Sequence, residues 1–463
     1  MSLRARVSWS VATVAVVVAA FAGAAASGGV QGGRATAFYP GGARVAAKNA
    51  PRLETFRTGA RGVGEPNIGI AKDGTIWASA MQDVVRSADR GKTWQRLKLD
   101  GHVATLDPYL YVDPATSRVY KSDLAGTCQV LSWTDDRGKT WSHAPAACNQ
   151  SDHQSIAAGP PVGGLQTVGY ANVLYNCSQT LGYNGYSFGT GCARSLDGGL
   201  TWTPTGTLAY HDPSPNGVGE GSGDAGVPGH CNGDNGPIYV APYGRLFVPR
   251  GWCNQPWLAY SDDGGTTWQR VQVAKNGMNT SLSGGFGFVA PGHGQSDHES
   301  AVVADRFGNV YYFWMAKDRL PYLAVSRDRG KSFGPPLKVA PPGLREAWGP
   351  ALDVDAKGRV AMAYMGSTNS PRAPWSGSYG DTTFTGYLGL VAAPTAKKPL
   401  VWAGPVTKPA EAFVHGACGP GRCDSGVLDF IDVGFAPDGS VWGAFVDSAL
   451  GDELVMGHLT AVR

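Results

Sequence analysis

Ser87-Ala-Asp89-Arg-Gly91-Lys-Thr-Trp94 returns along the chain as Thr134-Asp-Asp136-Arg-Gly138-Lys-Thr-Trp141 and as Ser195-Leu-Asp197-Gly-Gly199-Leu-Thr-Trp202. It returns again as Ser261-Asp-Asp263-Gly-Gly265-Thr-Thr-Trp268 and, with Phe in place of Trp, as Ser326-Arg-Asp328-Arg-Gly330-Lys-Ser-Phe333. The chemistry is that of a hairpin. The Asp carboxylate accepts backbone N–H groups a few residues on, the Gly supplies a positive φ, and the Thr and the ring open the returning strand. Asp89, Asp136, Asp197, Asp263 and Asp328 are therefore read as structural residues, each occupied by its own turn.

A second repeat precedes each of these boxes. Ile68–Trp77, Tyr109–Tyr120, Ile238–Phe247, Val302–Tyr311, Ala351–Val360 and Val433–Trp442 are strand–turn–strand patterns, with Ile156–Leu165 a weaker member. The boxed aspartates lie 47, 61, 66 and 65 residues apart, a period that fits a four-stranded sheet with loops. Repeated sheets of this size predict an all-β chain folded as a β-propeller of four-stranded blades, with seven blades favoured. Six would result if residues 340–425 formed a long insertion with one sheet. In a closed ring, Leu53–Arg57 would complete the last blade and remove its open edge.

Composition agrees. The 463 residues include 66 Gly and 31 Pro, which excludes a helical bundle. Charged residues make up 16% and aromatic residues 10%, which excludes a disordered chain. The net charge of +3 carries no basic run that would mark a nucleic-acid partner.

Arg4 and Arg6 followed by the apolar run Val11–Ala26 read as an export signal, with cleavage before Ser27. The expected organisation is a signal peptide over 1–26, a flexible leader over 27–55 and one propeller domain over 56–463. The expected product is a secreted monomer with no membrane segment after cleavage. Eight cysteines, all after residue 127, suit that compartment. Pairing of sequential neighbours closes short loops within single units: Cys128–Cys148, Cys177–Cys192, Cys231–Cys253 and Cys418–Cys423. His415 with the last pair offers a weaker, metal-binding alternative.

The boxes resemble the Asp boxes of the bacterial neuraminidase repeat, found in sialidases and in other secreted propellers. The resemblance covers about residues 60 to 463 and implies the fold more specifically than the activity. In sialidases three arginines grip the substrate carboxylate, a Tyr activated by a Glu is the nucleophile, and an Asp is the acid/base. The first arginine sits in a Phe/Tyr-Arg-Ile-Pro motif, where this chain has Gly64-Glu65-Pro66-Asn67. Arg61 is displaced from that position, and Arg250 and Arg345 are the candidate second and third arginines.

An independent clue comes from the residues that enter the inner strands. Glu65, Asp107, Asp152 and His153, His230 and Asp234, Asp297, His298 and Glu299, Glu346, and Asp429 and Asp432 occupy that position in turn. Propeller closure would gather them around one mouth. The candidate catalytic set is Asp152, His153, Asp297, His298, Glu299 and Glu346. The candidate substrate-binding set is Arg250, Arg345, Glu65 and Asp107. Such carboxylates would give an acid/base pair for glycoside cleavage, cap strand ends, or hold a Ca²⁺, although no cofactor is required. Arg345 is the nearest arginine in sequence to offset the charge of Glu346. Two functions remain open: a sialidase-like glycosidase acting on extracellular glycans, and a non-catalytic propeller binding a glycan, peptide or protein.

Overall fold

The seven units are seven antiparallel sheets in the computed structural model. It describes residues 25–26, 29–99, 103, 105, 107–125, 128–148, 151–181, 187–211, 235–252, 255–278, 300–372, 380–415 and 430–462. The first strands of blades 1 to 7 are Ile68–Ile70, Pro108–Val112, Ser151–Gly159, Tyr239–Val240, Ser300–Ala304, Glu346–Val354 and Asp432–Phe435. Each touches the first strand of the next blade, and the seventh returns to the first, so the ring is closed. The six-blade count falls because residues 346–405 form a regular sheet of their own.

Blade 5 illustrates why these residues form strands. Val310–Met315 reads VYYFWM and is buried at every position. An unbroken β-branched and aromatic run suits a strand covered on both faces. Tyr312 and Trp314 pack with Phe247 and Leu258 of blade 4. Tyr311 and Phe313 pack with Met362 and Tyr364 of blade 6. The core is thus a series of apolar layers between successive blades.

Blade 3 departs from its expected pattern. The partner of its first strand begins at Val173, so the connecting segment is longer than Ile156–Leu165 suggested. Cys177 and Cys192 face each other across this blade and are bridged. Cys128 and Cys148 are bridged in blade 2. The other two expected pairs, Cys231–Cys253 and Cys418–Cys423, lie outside the described residues.

Ring closure uses both ends of the domain. Arg52–Arg57 pairs with Glu453–Leu459 as the fourth strand of blade 7, with Leu53 opposite Leu459 and Arg57 opposite Val455. Arg57 adds ion pairs to Asp447 at 2.9 Å and Glu453 at 3.1 Å. The flexible leader needs correction. Val30–Arg34 adds a further strand to blade 7, and Thr36–Phe38 adds one to blade 6. Their Gly- and Ala-rich composition reads as a linker, yet the free edges of two blades supply backbone partners that composition does not reveal. Ala25–Ala26 pairs with Thr93–Trp94 of blade 1.

Candidate functional site

The antiparallel order gives the ring two faces. The entry face carries the starts of the first strands and the connections between second and third strands. The box face carries the turns between first and second strands and all five Asp boxes. In the first box, Ser87 Oγ donates to Asp89 Oδ1 (2.8 Å), and the Thr93 N–H and hydroxyl donate to the two carboxylate oxygens (2.9 and 2.6 Å). The other four boxes repeat this pattern. Box residues also join neighbouring blades. Arg137 of the second box pairs with Asp73 in the turn of blade 1 at 2.9 Å.

Neighbouring first strands are laced by side chains onto backbone. Asn67 Oδ1 accepts the Leu110 N–H (3.3 Å), and Ser155 Oγ accepts the Ile238 N–H (3.1 Å). Asp353 Oδ2 accepts the Phe435 N–H (2.7 Å), and Asp432 Oδ2 accepts the Ile68 N–H (3.1 Å). Inside this lacing runs a channel of about 690 Å³ lined by residues such as Ile68, Tyr109, Ile156, Ile238, Val302 and Leu352. It reaches the box-face turns at Lys72, Pro114 and Lys357.

At the entry face, Glu65 is 1% exposed and held at φ +48°. The backbone carbonyl of Asp107 accepts Gln154 Nε2 at 2.5 Å, which ties blade 3 to blade 2. Asp152 and His153 do not precede the third first strand; they lie within it, at a register shift between Asp152 and Ser155. A bulge re-aims side chains. Here it puts His153 at φ +51°, with its ring 5.2 Å from that of Phe430. Phe430 leads into blade 7, so His153 spans the mouth. Asp152 Oδ1 accepts the His153 N–H at 3.0 Å, and its other oxygen lies 3.8 Å from His153 Nε2.

Glu346 opens the sixth first strand and is fully buried. Its arginine partner is Arg319 of blade 5, with Nη1 3.1 Å from Oε1, whereas Arg345 donates through Nε to the Ser370 carbonyl at 2.7 Å. Ser370 Oγ donates to the second Glu346 oxygen. Arg250 is also fully buried, with its guanidinium 5.3 Å from the Tyr210 ring centre. Asp297, His298 and Glu299 lie outside the described residues, as do His230, Asp234 and Asp429. Among the described residues no group of three or more His, Cys, Asp or Glu side chains is placed to hold a metal ion.

Several entry-face residues went unread in the sequence. Arg319 and Ser370 complete the Glu346 pairings from neighbouring loops, and Phe430 meets His153 from blade 7. Asn235 donates to the His153 carbonyl at 3.1 Å. Gln154 adjoined His153, and Phe430 adjoined Asp429; the loop arginine carried no local signal. Trp252 and Trp257 form an edge-to-face pair (5.3 Å) beside Tyr210. The indole N–H groups of Trp257 and Trp348 are buried with no hydrogen-bond partner among the described residues.

A family model described as BNR/Asp-box repeat matches residues 259–270. No curated protein matches the chain. Among solved structures, the chain is similar to the BP39L lectin from Burkholderia pseudomallei at 10% identity, with 87% of this chain and 98% of that chain covered and a TM-score of 0.51. It is also similar to a protein of unknown function from Dyadobacter fermentans (18% identity, 88% and 96% covered, TM-score 0.42). A mutant NanB sialidase from Streptococcus pneumoniae gives 11% identity, 93% and 94% covered, and a TM-score of 0.41. The lectin supports the propeller fold; at such identities none of the three transfers an activity.

Proposed function

We propose that this Asp-box β-propeller is a secreted monomer that binds a neutral, hydroxyl-rich extracellular glycan at its entry face without cleaving it. The observation that carries the reading is that the buried indole N–H groups of Trp257 and Trp348 have no acceptor among the described residues. A buried donor without a partner costs about 1–3 kcal/mol, and a sugar hydroxyl would offset that cost. Aromatic faces that stack on sugar rings are at hand in Trp252 and Trp257. The left-handed backbone at Glu65 and His153 adds support, because strain of this kind gathers at ligand sites. The charged groups are engaged within the protein: Glu346 with Arg319 and Ser370, and Arg345 with the Ser370 carbonyl. That arrangement suits a neutral ligand better than the carboxylate of a sialic acid. Export is supported by the two disulfides.

The test is a glycan array with the mature chain, together with a panel of chromogenic glycosides that includes a sialoside. Binding of neutral glycans without glycoside turnover is expected. Trp348→Phe replaces the indole with a smaller ring that lacks the donor, and should weaken binding about tenfold, the worth of one hydrogen bond. Turnover would favour the second reading, a glycosidase. In that reading Asp152, whose side chain is 35% exposed, and Glu346, ion-paired with Arg319, would serve as the paired carboxylates.

A further inference from the structure

The interior of the channel, between the two faces, has a chemistry distinct from the entry face. Its walls are aliphatic and aromatic, yet Asp353 and Asp432 both line it. Each of their four oxygens already accepts one backbone N–H: Val354 and Phe435 for Asp353, Val433 and Ile68 for Asp432. Neither carboxylate has a Lys, Arg or His within ion-pair distance among the described residues. Of the rim cations, Lys72 Nζ is held by the Ala115 carbonyl (2.6 Å) and Arg359 by Asp355 (2.7 Å), and Lys357 makes no ion pair with either carboxylate among the described residues. A third polar group points to a missing ligand. Tyr109 is only 7% exposed and lines the same channel close enough to Asp432 for the two to interact electrostatically, and no described residue hydrogen-bonds its hydroxyl.

We propose that the channel interior binds a small organic cation with an apolar body, its ammonium held between Asp353, Asp432 and the Tyr109 hydroxyl. Uncompensated carboxylates in an apolar cavity favour a positive guest. A hard divalent ion requires about six to eight oxygen ligands, more than these two side chains supply. An ammonium needs only the remaining lone pairs, and the rings of Tyr109, Tyr111 and Tyr239 in the lining offer cation–π contact. The aliphatic wall accounts for the apolar body.

The test is calorimetric titration of the full mature chain at pH 8 with benzylammonium, with benzyl alcohol as the neutral counterpart and Ca²⁺ as the hard cation. Benzylammonium should bind at least tenfold more tightly than benzyl alcohol, and excess Ca²⁺ should not displace it. Asp432→Asn should weaken benzylammonium at least tenfold and leave benzyl alcohol unchanged, and Tyr109→Phe should weaken the amine about threefold. If Asp432→Asn does not fold, the wild-type protein still decides: the carboxyl ¹³C resonance of Asp432 should move with benzylammonium and not with benzyl alcohol. Equal binding of amine and alcohol, no binding of either, displacement by Ca²⁺, or an unmoved resonance overturns the site.

Discussion

The same side chain, aspartate, does opposite electrostatic work at two places in this molecule. In the Asp boxes the carboxylate is stabilised by donors. The Thr140 hydroxyl and N–H hold Asp136 down at about 2. In the channel, burial pushes Asp353 up to about 6 and Asp432 up to about 7, against backbone N–H bonds that pull the other way. A carboxyl whose folded value is lowered stabilises above its unfolded value near 4 and loses that contribution as pH falls through the folded value. One whose folded value is raised stabilises fully below about 4 and loses its contribution as pH rises through 6 and then 7. Carboxyl ¹³C titration should therefore give a midpoint near 2 for Asp136 and near 7 for Asp432; midpoints near 4 for both would remove this account. Asp263→Ala should cost about 1–3 kcal/mol in urea unfolding by leaving the Thr267 N–H and hydroxyl without their acceptor. Glycan binding by the fraction that stays folded should be intact. The role of the boxes was legible because each is closed within eight residues. The partner of Glu346 was not, because Arg319 arrives from the preceding blade while the sequence offered its neighbour Arg345.

At the scale of the strand, the first strands act as the hub of the ring. Where a first strand has no side chain, neighbouring blades approach closely. A Cβ on Gly159 would fall 2.2 Å from Val240 Cγ1 in blade 4. Gly159→Ala should therefore cost about 1–3 kcal/mol through overpacking, seen as a lower midpoint of thermal unfolding; an unchanged midpoint would mean that the blades yield freely. The bulge at Asp152–Ser155 is the complementary device, turning His153 toward Phe430 instead of continuing the ladder. Strand identity could be read from β-branched runs and turn glycines. The bulge could not, because it depends on which residues of Val173–Leu181 the strand meets.

For the whole molecule, closure is the property that matters. Blade 7 takes three strands from the end of the chain and one from Arg52–Arg57. A chain beginning after Arg57 should expose the edge of Glu453–Leu459 and aggregate or unfold with low cooperativity, measured by size-exclusion chromatography and urea unfolding. A chain beginning at Ser27 keeps that strand and should stay monomeric. Intact mass of the exported protein should show loss of residues 1–26 and eight hydrogens fewer than the reduced form; titratable thiols in the native protein would contradict this. The all-β class, the repeat, the box turns and the two described disulfide pairs are legible in the amino-acid sequence alone. These rest on local contacts, where turn geometry and alternation are written in adjacent residues. Tertiary structure decided the seventh blade's composition, the place of residues 30–57, the Arg319–Glu346 pair and the charge of the channel. Each of these depends on groups far apart in the chain, and their meeting is fixed only when the ring closes and removes water from between the blades.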